Sequence, residues 1–481
     1  MLTGSEMGVV DENAAALGVP RKQLMESSGN AVAGAVRDLA DPGASVTIVA
    51  GRGNNGGDAL VAARFLDDYD LRILLLGRPE TITTDISREN WNALQSAEYP
   101  TEQVRDASQF DLGDPDIVVD AMLGTGINGA LREPEATAAA ATNASDAAVL
   151  SVDVPSGLDA EDGTLAENAV EADHVVTFHD TKPGLSDLDA GVTVADIGIP
   201  EAAELFVERG DLRRLTRDPA SHKGDNGEVL VVGGGPYTGA PALSAQAALR
   251  GGADLVRVAA PELVAREIQG YSENLIVRPY DGEMLAPPHV DRLAAFAADH
   301  DTLVLGPGLG DADATLAAVT DLLERFDGTA VVDADALSVV PDVETDADLV
   351  CTPHQGELVG MGGETSDDWR ERADLVESFA AELGHTVLVK GPYDVISDGE
   401  RTRVNRTGNP GMTVGGTGDV LAGVTGALAC VQEPRHAAAI AAHAVGAAGD
   451  AVVDERGYGL VATDLLDAVP PALWADDDDD D

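Results

Sequence analysis

The sequence is poor in lysine and cysteine, and it has no long apolar run. Only four of its 30 basic residues are lysines, namely Lys22, Lys182, Lys223 and Lys390. The two cysteines, Cys351 and Cys430, are far apart and form no CxxC pair. This argues against a disulfide framework or a zinc site and favours a reducing compartment.

No apolar run approaches the roughly 20 residues that a membrane-spanning helix needs. The first residues, 1–17, contain acids and lack the basic stretch of a secretory signal. We therefore expect a cytoplasmic protein without a membrane partner.

Charge is strongly biased to one sign, because 85 acidic residues face 30 basic ones and give a formal net charge of −55. Such repulsion destabilises a compact chain in dilute salt, and it becomes tolerable near 1 M salt, where the Debye length is about 3 Å. The composition therefore predicts an extreme halophile. A nucleic-acid partner is not expected, since phosphates need basic patches and none is visible.

Short apolar segments alternate with helical segments in the first half of the chain. The strands are predicted at Ser45–Val49, Leu71–Leu76, Ile117–Ala121, Val149–Val152 and His174–Phe178. Helices are predicted at Glu6–Leu17, Arg21–Leu39, Ala59–Leu66 and Asp85–Ala97. This alternation indicates an α/β domain in which helices cover both faces of a parallel sheet.

The pattern stops in a polar stretch, 210–219, and then restarts in the second half. Strands are predicted there at Val229–Val232, Leu255–Ala259, Thr302–Leu305, Ala330–Asp333, Leu349–Cys351 and Thr386–Val389. We therefore predict two three-layer α/β domains, 1–211 and 212–475, and a disordered acidic tail, 476–481.

A glycine-rich motif follows the first predicted strand. It reads Gly51-Arg52-Gly53-Asn54-Asn55-Gly56-Gly57-Asp58 and precedes a predicted helix. Glycine lets the backbone approach a ligand, and the helix start offers free N–H groups. The motif is not GxGxxG, so it does not predict the usual dinucleotide-binding turn. The side-chain amides of Asn54 and Asn55 and the carboxyl group of Asp58 supply oxygens instead.

Two further strands end in an acid that is followed by a loop. These are Asp120, before Gly124-Thr125-Gly126, and Asp153, before Pro155-Ser156-Gly157. Either acid alone could cap a helix or a turn. Because ligands bind at the carboxyl ends of parallel strands, the three loops together predict one crevice.

These three motifs resemble the NAD(P)H-hydrate epimerase family, and the resemblance covers 1–211. It implies a Rossmann-like fold that interconverts the R and S forms of hydrated NAD(P)H. By motif, the hydrate would be bound by Asn54, Asn55, Gly56, Gly57, Asp58, Asp153 and the loop Gly124, Thr125, Gly126, Ile127, Asn128, Gly129 and Ala130. The resemblance also implies a potassium ion held by Asn55, Asp120 and Ser156.

The chemistry of the first site calls for an acid or base near the hydroxyl-bearing carbon, and we assign that role to Asp153. Lys182 is one of the few lysines of the chain, and two roles stay open for it. It is either a substrate or phosphate contact near the crevice or a structural cation.

In the second half, Gly415-Gly416-Thr417-Gly418-Asp419 precedes a predicted helix. Such a turn binds anions at the helix N-terminus, and an adjacent acid can take a hydroxyl proton during phosphoryl transfer. Three further motifs follow predicted strands. They are Gly306-Pro307-Gly308-Leu309-Gly310, Thr352-Pro353-His354-Gln355-Gly356-Glu357 and Lys390-Gly391.

This half resembles the ribokinase-like superfamily, and most closely its NAD(P)H-hydrate dehydratase branch, over about 217–470. The resemblance implies that an adenine nucleotide phosphorylates the hydrate and that phosphate then leaves to restore NAD(P)H. Bacterial and archaeal members generally use ADP and release AMP. The expected ligands are thus NAD(P)HX (the hydrated cofactor) and Mg²⁺ with ADP, and we expect a homo-oligomer.

By motif, the S-hydrate would contact Ala253, Gly308, His354 and Asp419, with Asp419 as general base. The nucleotide would be held by Lys390, Gly391, Pro392, Tyr393, Asp394 and Gly418. His354 could instead be a capping or core residue. Glu357 is either a magnesium ligand or a solvated helix acid.

Two residues depart from the family pattern. Asp394 replaces a small hydroxyl residue, which bears on the choice between ADP and ATP, and Asp254 replaces a glycine. Two rival functions remain open. One is a kinase whose product is a stable phosphate ester, and the other has a first domain that only binds a ligand or partner.

Overall fold

The computed structural model describes residues 1–126 and 129–474. Ile127 and Asn128, two of the expected substrate-binding residues, lie outside the described residues, as does the predicted acidic tail at 476–481. The chain divides into two compact units, Met1–Ala203 and Glu204–Asp481. Each unit is an α/β domain built on its own sheet.

The first unit contains one parallel sheet of seven strands. The strands are β1 (Ser45–Ala50), β2 (Asp70–Leu76), β3 (Thr101–Val104), β4 (Ile117–Ala121), β5 (Ala148–Val152), β6 (His174–Phe178) and β7 (Gly191–Ala195). Their order is β3-β2-β1-β4-β5-β6-β7, and every neighbouring pair is parallel. The order reverses between β1 and β4, which is where a crevice opens in such sheets.

Helices cover both faces of this sheet, as the apolar strands require. They are α1 (Gly4–Ala16), α2 (Arg21–Leu39), α3 (Asn54–Ala63), α4 (Asp85–Ser96), α5 (Glu135–Asn143) and, at the junction of the units, α6 (Ala202–Leu205). Ile48 belongs to the core on one face and Val49 to the core on the other. The α/β prediction is therefore confirmed, although β3 and β7 were not predicted.

The third helix starts earlier than predicted. We expected it at Ala59–Leu66, but α3 begins at Asn54, with Gly53 as its N-cap. The motif Asn54–Asp58 is thus the first turn of the helix and not a loop before it. A helix start of this kind presents free backbone N–H groups to the crevice.

The second unit contains a sheet of nine strands. They are β8 (Glu228–Val232), β9 (Leu255–Pro261), β10 (Ile276–Tyr280), β11 (Thr302–Leu305), β12 (Thr329–Val332), β13 (Asp348–Cys351), β14 (Thr386–Val389), β15 (Asp394–Ser397) and β16 (Thr402–Asn405). Their order is β10-β9-β8-β11-β12-β13-β14-β15-β16. All pairs are parallel except that β15 is antiparallel to β14 and β16.

Nine helices accompany this sheet in the described residues. They are α7 (Gly239–Arg250), α8 (Glu262–Gly270), α9 (Val290–Ala297), α10 (Asp313–Leu323), α11 (Gln355–Gly360), α12 (Trp369–Leu383), α13 (Thr417–Leu428), α14 (Pro434–Arg456) and α15 (Ala462–Trp474). Helix α14 is long and apolar enough to cross a membrane, but 78% of its most apolar window is buried inside the protein. This burial is typical of a core helix.

The residues that follow Ala203 pack against β16. Arg403 donates hydrogen bonds to both carboxylate oxygens of Asp211 at 2.8 Å, and Phe206 forms a β-bridge with Val404. The segment 204–211, which the sequence assigned to the first domain, therefore belongs to the second unit by its contacts.

Most acidic side chains lie at the surface. Among the described residues, the buried acids are Asp58, Asp120, Glu135, Asp211 and Asp333. The exposed acids repel one another across solvent, where salt screens them.

We expect the thermal unfolding midpoint to rise steadily between 0.1 and ~2 M KCl, because a shorter Debye length weakens this repulsion. Calorimetry in KCl and in NaCl would measure the effect. Both salts should act alike if screening is the cause. A midpoint that stays constant or falls would contradict this interpretation.

Candidate active sites

Three loops meet at the carboxyl edge of the first sheet. Gly51 follows β1, Met122 follows β4 and Asp153 follows β5. A Cβ atom on Gly51 would lie 1.8 Å from the carbonyl oxygen of Met122, and one on Gly56 would lie 2.2 Å from that of Gly51. The backbone thus forms a tight cradle in which these two positions have no room for a side chain.

Asp120, near the end of β4, is a buried carboxylate with four hydrogen-bond donors. Ser156 donates from its hydroxyl at 2.6 Å and from its backbone N–H at 2.9 Å. Ser151 Oγ donates at 2.8 Å and the Met122 N–H at 3.3 Å. Burial raises the pKa of Asp120, and these hydrogen bonds oppose the rise. Such a ring of donors favours the ionised form.

Asn55 is joined to the same network. Its Nδ2 donates to the Leu123 carbonyl at 2.9 Å, and the Leu123 N–H donates to Ser156 Oγ at 3.0 Å. Its Oδ1 is buried and has no hydrogen-bond partner among the described residues. An unsatisfied buried oxygen is costly, and a hard cation would satisfy it. The residues expected to hold potassium therefore fit such an ion.

Asp153 has a left-handed backbone with φ of 65°, which is strained for a residue other than glycine. Its Oδ1 lies 3.0 Å from Lys182 Nζ and accepts a hydrogen bond from Thr177 Oγ1 at 2.9 Å. Lys182 is 1% exposed and also donates to the carbonyls of Phe178 and Asp180, at 3.0 and 3.1 Å. Of the two roles left open for Lys182, the structure favours the structural cation, which positions Asp153.

The other expected substrate-binding residues surround this cradle. Gly56, Gly57 and Asp58 are buried in the first turn of α3, whereas Asn54 is exposed. A Cβ atom on Gly124 would lie 3.2 Å from Asn55 Cβ. Thr125 is half-buried, while Gly126, Gly129 and Ala130 are exposed at the surface.

In the second unit, Lys390 and Asp419 lie at the carboxyl edge of the sheet. Lys390 Nζ lies 3.0 Å from Asp333 Oδ1 and 3.8 Å from Glu357 Oε2. A Cβ atom on Gly418, at the start of α13, would lie 3.3 Å from the same nitrogen. The end of β14 therefore meets the N-terminus of α13.

Asp419 is half-buried in the first turn of α13. Burial raises its pKa to about 7, with the charge of Asp333 adding to the rise and that of Lys390 opposing it. Ser244 Oγ, on α7, donates to the Asp419 backbone carbonyl at 2.9 Å and fixes the turn. A carboxyl group with a pKa near neutrality can take a proton at physiological pH.

His354 is the N-cap of α11, as the alternative interpretation expected. Its Nδ1 accepts from the Glu357 N–H at 3.0 Å, and Glu357 Oε2 accepts from the His354 N–H at 2.7 Å. The imidazole remains 61% exposed, so capping leaves most of the ring open to a ligand. Glu357 is not a freely solvated acid, because it caps the helix and faces Lys390.

No group of three or more His, Cys, Asp or Glu side chains in the described residues could hold a metal ion. Mg²⁺ is usually bound by one or two carboxylates together with waters and substrate phosphates. Glu357, beside Lys390, is an oxygen donor of this kind. The residues present therefore fit a magnesium ion that arrives with a nucleotide.

The segment Lys390, Gly391, Pro392, Tyr393 and Asp394 forms the turn between β14 and β15. Asp394 accepts from the Gly391 N–H and from Asn405 Nδ2, both at 2.9 Å. Burial raises the pKa of Asp394 to about 6, and the hydrogen bonds oppose the rise. Asp394, which departs from the family pattern, thus closes the turn through its hydrogen bonds.

The same turn is fixed from the side by α12. The Tyr393 ring stacks on Trp369 at 5.2 Å between centroids, and Arg372 donates to the Tyr393 carbonyl at 3.1 Å. Neither Trp369 nor Arg372 was expected to serve the site. No motif around them pointed to it, since they lie a helix length before the turn in sequence.

Ala253 is not brought to this site. It precedes β9, whereas Gly308, His354 and Lys390 follow β11, β13 and β14. Because these strands are parallel, Ala253 lies at the opposite edge of the sheet. Its neighbour Asp254 accepts from the backbone N–H groups of Gly224 and Asn226, at 2.9 and 3.1 Å, so Asp254 has a local structural role.

Two features of the second site were missed. The start of α7 lies at the correct edge, because a Cβ atom on Gly308 would lie 2.8 Å from the Tyr237 carbonyl oxygen. Asp333, which is 3% exposed, holds Lys390 and accepts from Thr352 Oγ1 at 2.8 Å. The sequence pattern places Asp333 at the end of the predicted strand Ala330–Asp333, and this position after an apolar run is the signal that could have identified it.

Comparison with known proteins matches both units to protein families. Residues 229–471 match the NAD(P)H-hydrate dehydratase family, and residues 21–184 match the family described as YjeF-related protein N-terminus. A bifunctional NAD(P)H-hydrate repair enzyme from Methanothermobacter thermautotrophicus is 42% identical over 97% of this chain and 94% of its own.

Solved structures resemble part of the chain. A hypothetical protein from Streptococcus mutans has a TM-score of 0.50 and 21% identity, covering 56% of this chain and 98% of its own. At that identity the likeness shows the fold alone. An ADP/ATP-dependent NAD(P)H-hydrate dehydratase from Bacillus subtilis has a TM-score of 0.49 and 27% identity, covering 56% and 97%.

The cradle of the first unit predicts a contrast between two neighbouring glycines. Gly51→Ala should destabilise the first unit by about 1–3 kcal/mol, because its Cβ would overlap the Met122 carbonyl. Gly53→Ala is the control, since no atom lies within 4 Å of its Cβ position. Unfolding in urea, measured by hydrogen–deuterium exchange of peptides from β1 and β4, would give the stability of the first unit in each variant. Equal stability of the two variants would contradict the cradle.

Proposed function

The chain belongs to the bifunctional NAD(P)H-hydrate repair enzymes, with an epimerase unit followed by an ADP/ATP-dependent dehydratase unit, and we propose how its residues perform both reactions. The observation that carries the proposal is the placement of Asp419. Its carboxyl group, with a pKa raised to about 7, lies in the first turn of α13 beside Lys390.

In the first unit, we assign substrate binding to the cradle Asn54–Asp58, the loop 124–130 and Asp153. Asp153 acts as the acid and base beside the hydroxyl-bearing carbon of NAD(P)HX. Asn55, Asp120 and Ser156 hold potassium, which is supported by the unsatisfied Asn55 Oδ1 and the buried Asp120 carboxylate. The ion would place positive charge beside the substrate loop.

In the second unit, the S-hydrate lies against Gly308, His354 and Asp419, and the start of α7 replaces Ala253 in this role. Asp419 takes the proton of the hydrate hydroxyl as phosphate is transferred to it. The turn Lys390–Asp394 and Gly418 hold ADP, which is released as AMP. When bound, Mg²⁺ neutralises the phosphates, and Glu357 is the side chain placed to hold it.

Both activities in one chain serve a common purpose. Only the S form is dehydrated, so the epimerase lets the R form reach the second site. We further propose that the protein works as a homo-oligomer in the cytoplasm, and its net charge of −55 supports a cell with high internal salt.

A kinase that makes a stable phosphate ester is the alternative for the second unit. Incubation with ADP, Mg²⁺ and NADHX at multimolar KCl, with ATP in parallel, would separate the two. Recovery of NADH absorbance indicates repair. A phosphorylated product without NADH would indicate the kinase.

The two sites should be separable by single substitutions. Asp419→Asn should reduce dehydration of S-NADHX at least ~10²-fold and leave R/S exchange intact, because it removes only the second base. Asp153→Asn should do the reverse. NADH absorbance and NMR of R/S exchange measure the two reactions, and hydrogen–deuterium exchange of the substituted unit shows that it remains folded. Loss of both activities in either variant would contradict separate sites.

Dehydration should also depend on pH in a defined direction. Because Asp419 must be ionised and its pKa is raised to about 7, kcat/KM should fall as the pH drops below about 7. Asp333→Asn removes the neighbouring charge that raises this pKa, so the acid limb should move to lower pH. If the fall of kcat/KM at low pH keeps the same midpoint in Asp333→Asn, Asp419 is not the titrating base.

A further inference from the structure

Three carboxyl groups of the first unit lie close enough for their charges to act on one another, and a lysine lies beside one of them. Asp11 comes from α1, Asp58 from α3 and Asp153 from the end of β5. Lys182 is the buried cation among them, and its three N–H groups are used by Asp153 Oδ1 and two backbone carbonyls. It therefore neutralises Asp153 and has no donor left for the other two acids.

Helix α1 forms part of this crevice. The Leu2 N–H, just before the helix, donates to the Thr181 carbonyl at 3.1 Å, next to Lys182. A Cβ atom on Gly4 would lie 3.0 Å from Thr125 Cβ, in the proposed substrate loop. The start of α1 thus contacts both Thr181, beside Lys182, and Thr125 of the loop after β4. Asp11 lies further along the same helix.

Asp58 and Asp11 lack the partners that Asp153 has. In the part of the chain that the structure describes, neither carboxyl group makes a hydrogen bond or an ion pair. Asp58 is buried, and Asp11 is half-buried. The buried Asp58 carboxyl keeps its proton, since ionising it there without a cation or donor is unfavourable. Asp11 is only half-buried and faces the charges of Arg21 and Lys182, so it is ionised at neutral pH.

The electrostatics agree with this geometry. Burial raises the pKa of Asp58 well above its ordinary value, and the charges of Asp153 and Asp11 add to the rise. Burial raises the pKa of Asp11 to about 6, and Asp153 adds to it. The cations that oppose the rise at Asp11 are Arg21 from α2, Lys182, and His179 from the segment after β6.

We propose that Asp58 is the proton donor and Asp153 the proton acceptor of the epimerase reaction, and that Asp11 is a positioning residue that keeps Asp58 protonated. The proposal rests on the epimerase function of the first unit. It divides between two carboxyl groups the acid and base roles that were assigned to Asp153 alone.

The reaction proceeds by loss and re-addition of water and needs no redox cofactor. The C–O bond of the hydroxyl-bearing carbon breaks, its oxygen takes the Asp58 proton and leaves as water, and the lone pair of the adjacent ring nitrogen forms a C=N bond. Water then adds to the other face, the C=N electron pair returns to nitrogen, and Asp153 accepts the released proton. Solvent carries that proton back to Asp58.

The pH profile of R/S exchange tests the positioning role. Exchange should fall at high pH, as Asp58 loses its proton. Asp11→Asn removes a negative charge near Asp58, so the alkaline limb should move to lower pH by roughly 0.5–1 unit. Asp38→Asn, at an exposed position near the end of α2, is the control and should leave the profile unchanged. A uniform loss of rate without a shift would show that Asp11 is only structural.

The donor role has its own test. Asp58→Asn should lower R/S exchange, measured by NMR above the uncatalysed rate, by at least ~10²-fold. Dehydration of S-NADHX by the same variant should persist, and hydrogen–deuterium exchange of peptides from β1 and β4 should match the wild type, which would show that the first unit is folded. Wild-type exchange in Asp58→Asn would overturn the proposal. Absence of exchange in the wild-type protein, with dehydration intact, would instead overturn the epimerase function itself.

Discussion

Parallel strand pairing is the constraint on which both sites depend. Because every strand from β1 to β7 runs in one direction, the residues that follow the strands meet at one edge of the sheet. Asp120 and Ser156 are distant in sequence, yet they are 2.6 Å apart there. The same rule brings Asp333 within 3.0 Å of Lys390 in the second unit.

Scarce lysines give both sites a similar electrostatic design. Lys182 is buried against Asp153, and Lys390 is largely buried against Asp333. Salt screens buried charge pairs much less than exposed ones. In a chain with a net charge of −55, these pairs can therefore keep their local fields while salt screens the repulsion at the surface. Carboxyl groups beyond each pair, such as Asp58 and Asp419, are left without a full counter-charge, and their pKa values rise.

Several polar residues in the motifs have a second, structural duty. His354 caps α11, Asp394 closes the turn between β14 and β15, and Lys182 positions a strained Asp153. These contacts hold the groups that face the ligands. A motif is therefore a unit in which some residues bind and others keep the loop in shape.

The α/β class, most strands and the glycine-rich loops after them could be predicted from the sequence, because apolar periodicity and glycine-rich turns are local signals. It could not place residues whose role depends on the approach of distant elements. The packing of distant elements was needed to show that Asp11 lies within reach of the charge of Asp153, that Trp369 stacks on the turn between β14 and β15, and that Ala253 lies at the opposite edge of the sheet. The physical reason is that the sheet's direction and the packing of helices on it, rather than spacing along the chain, set which side chains meet.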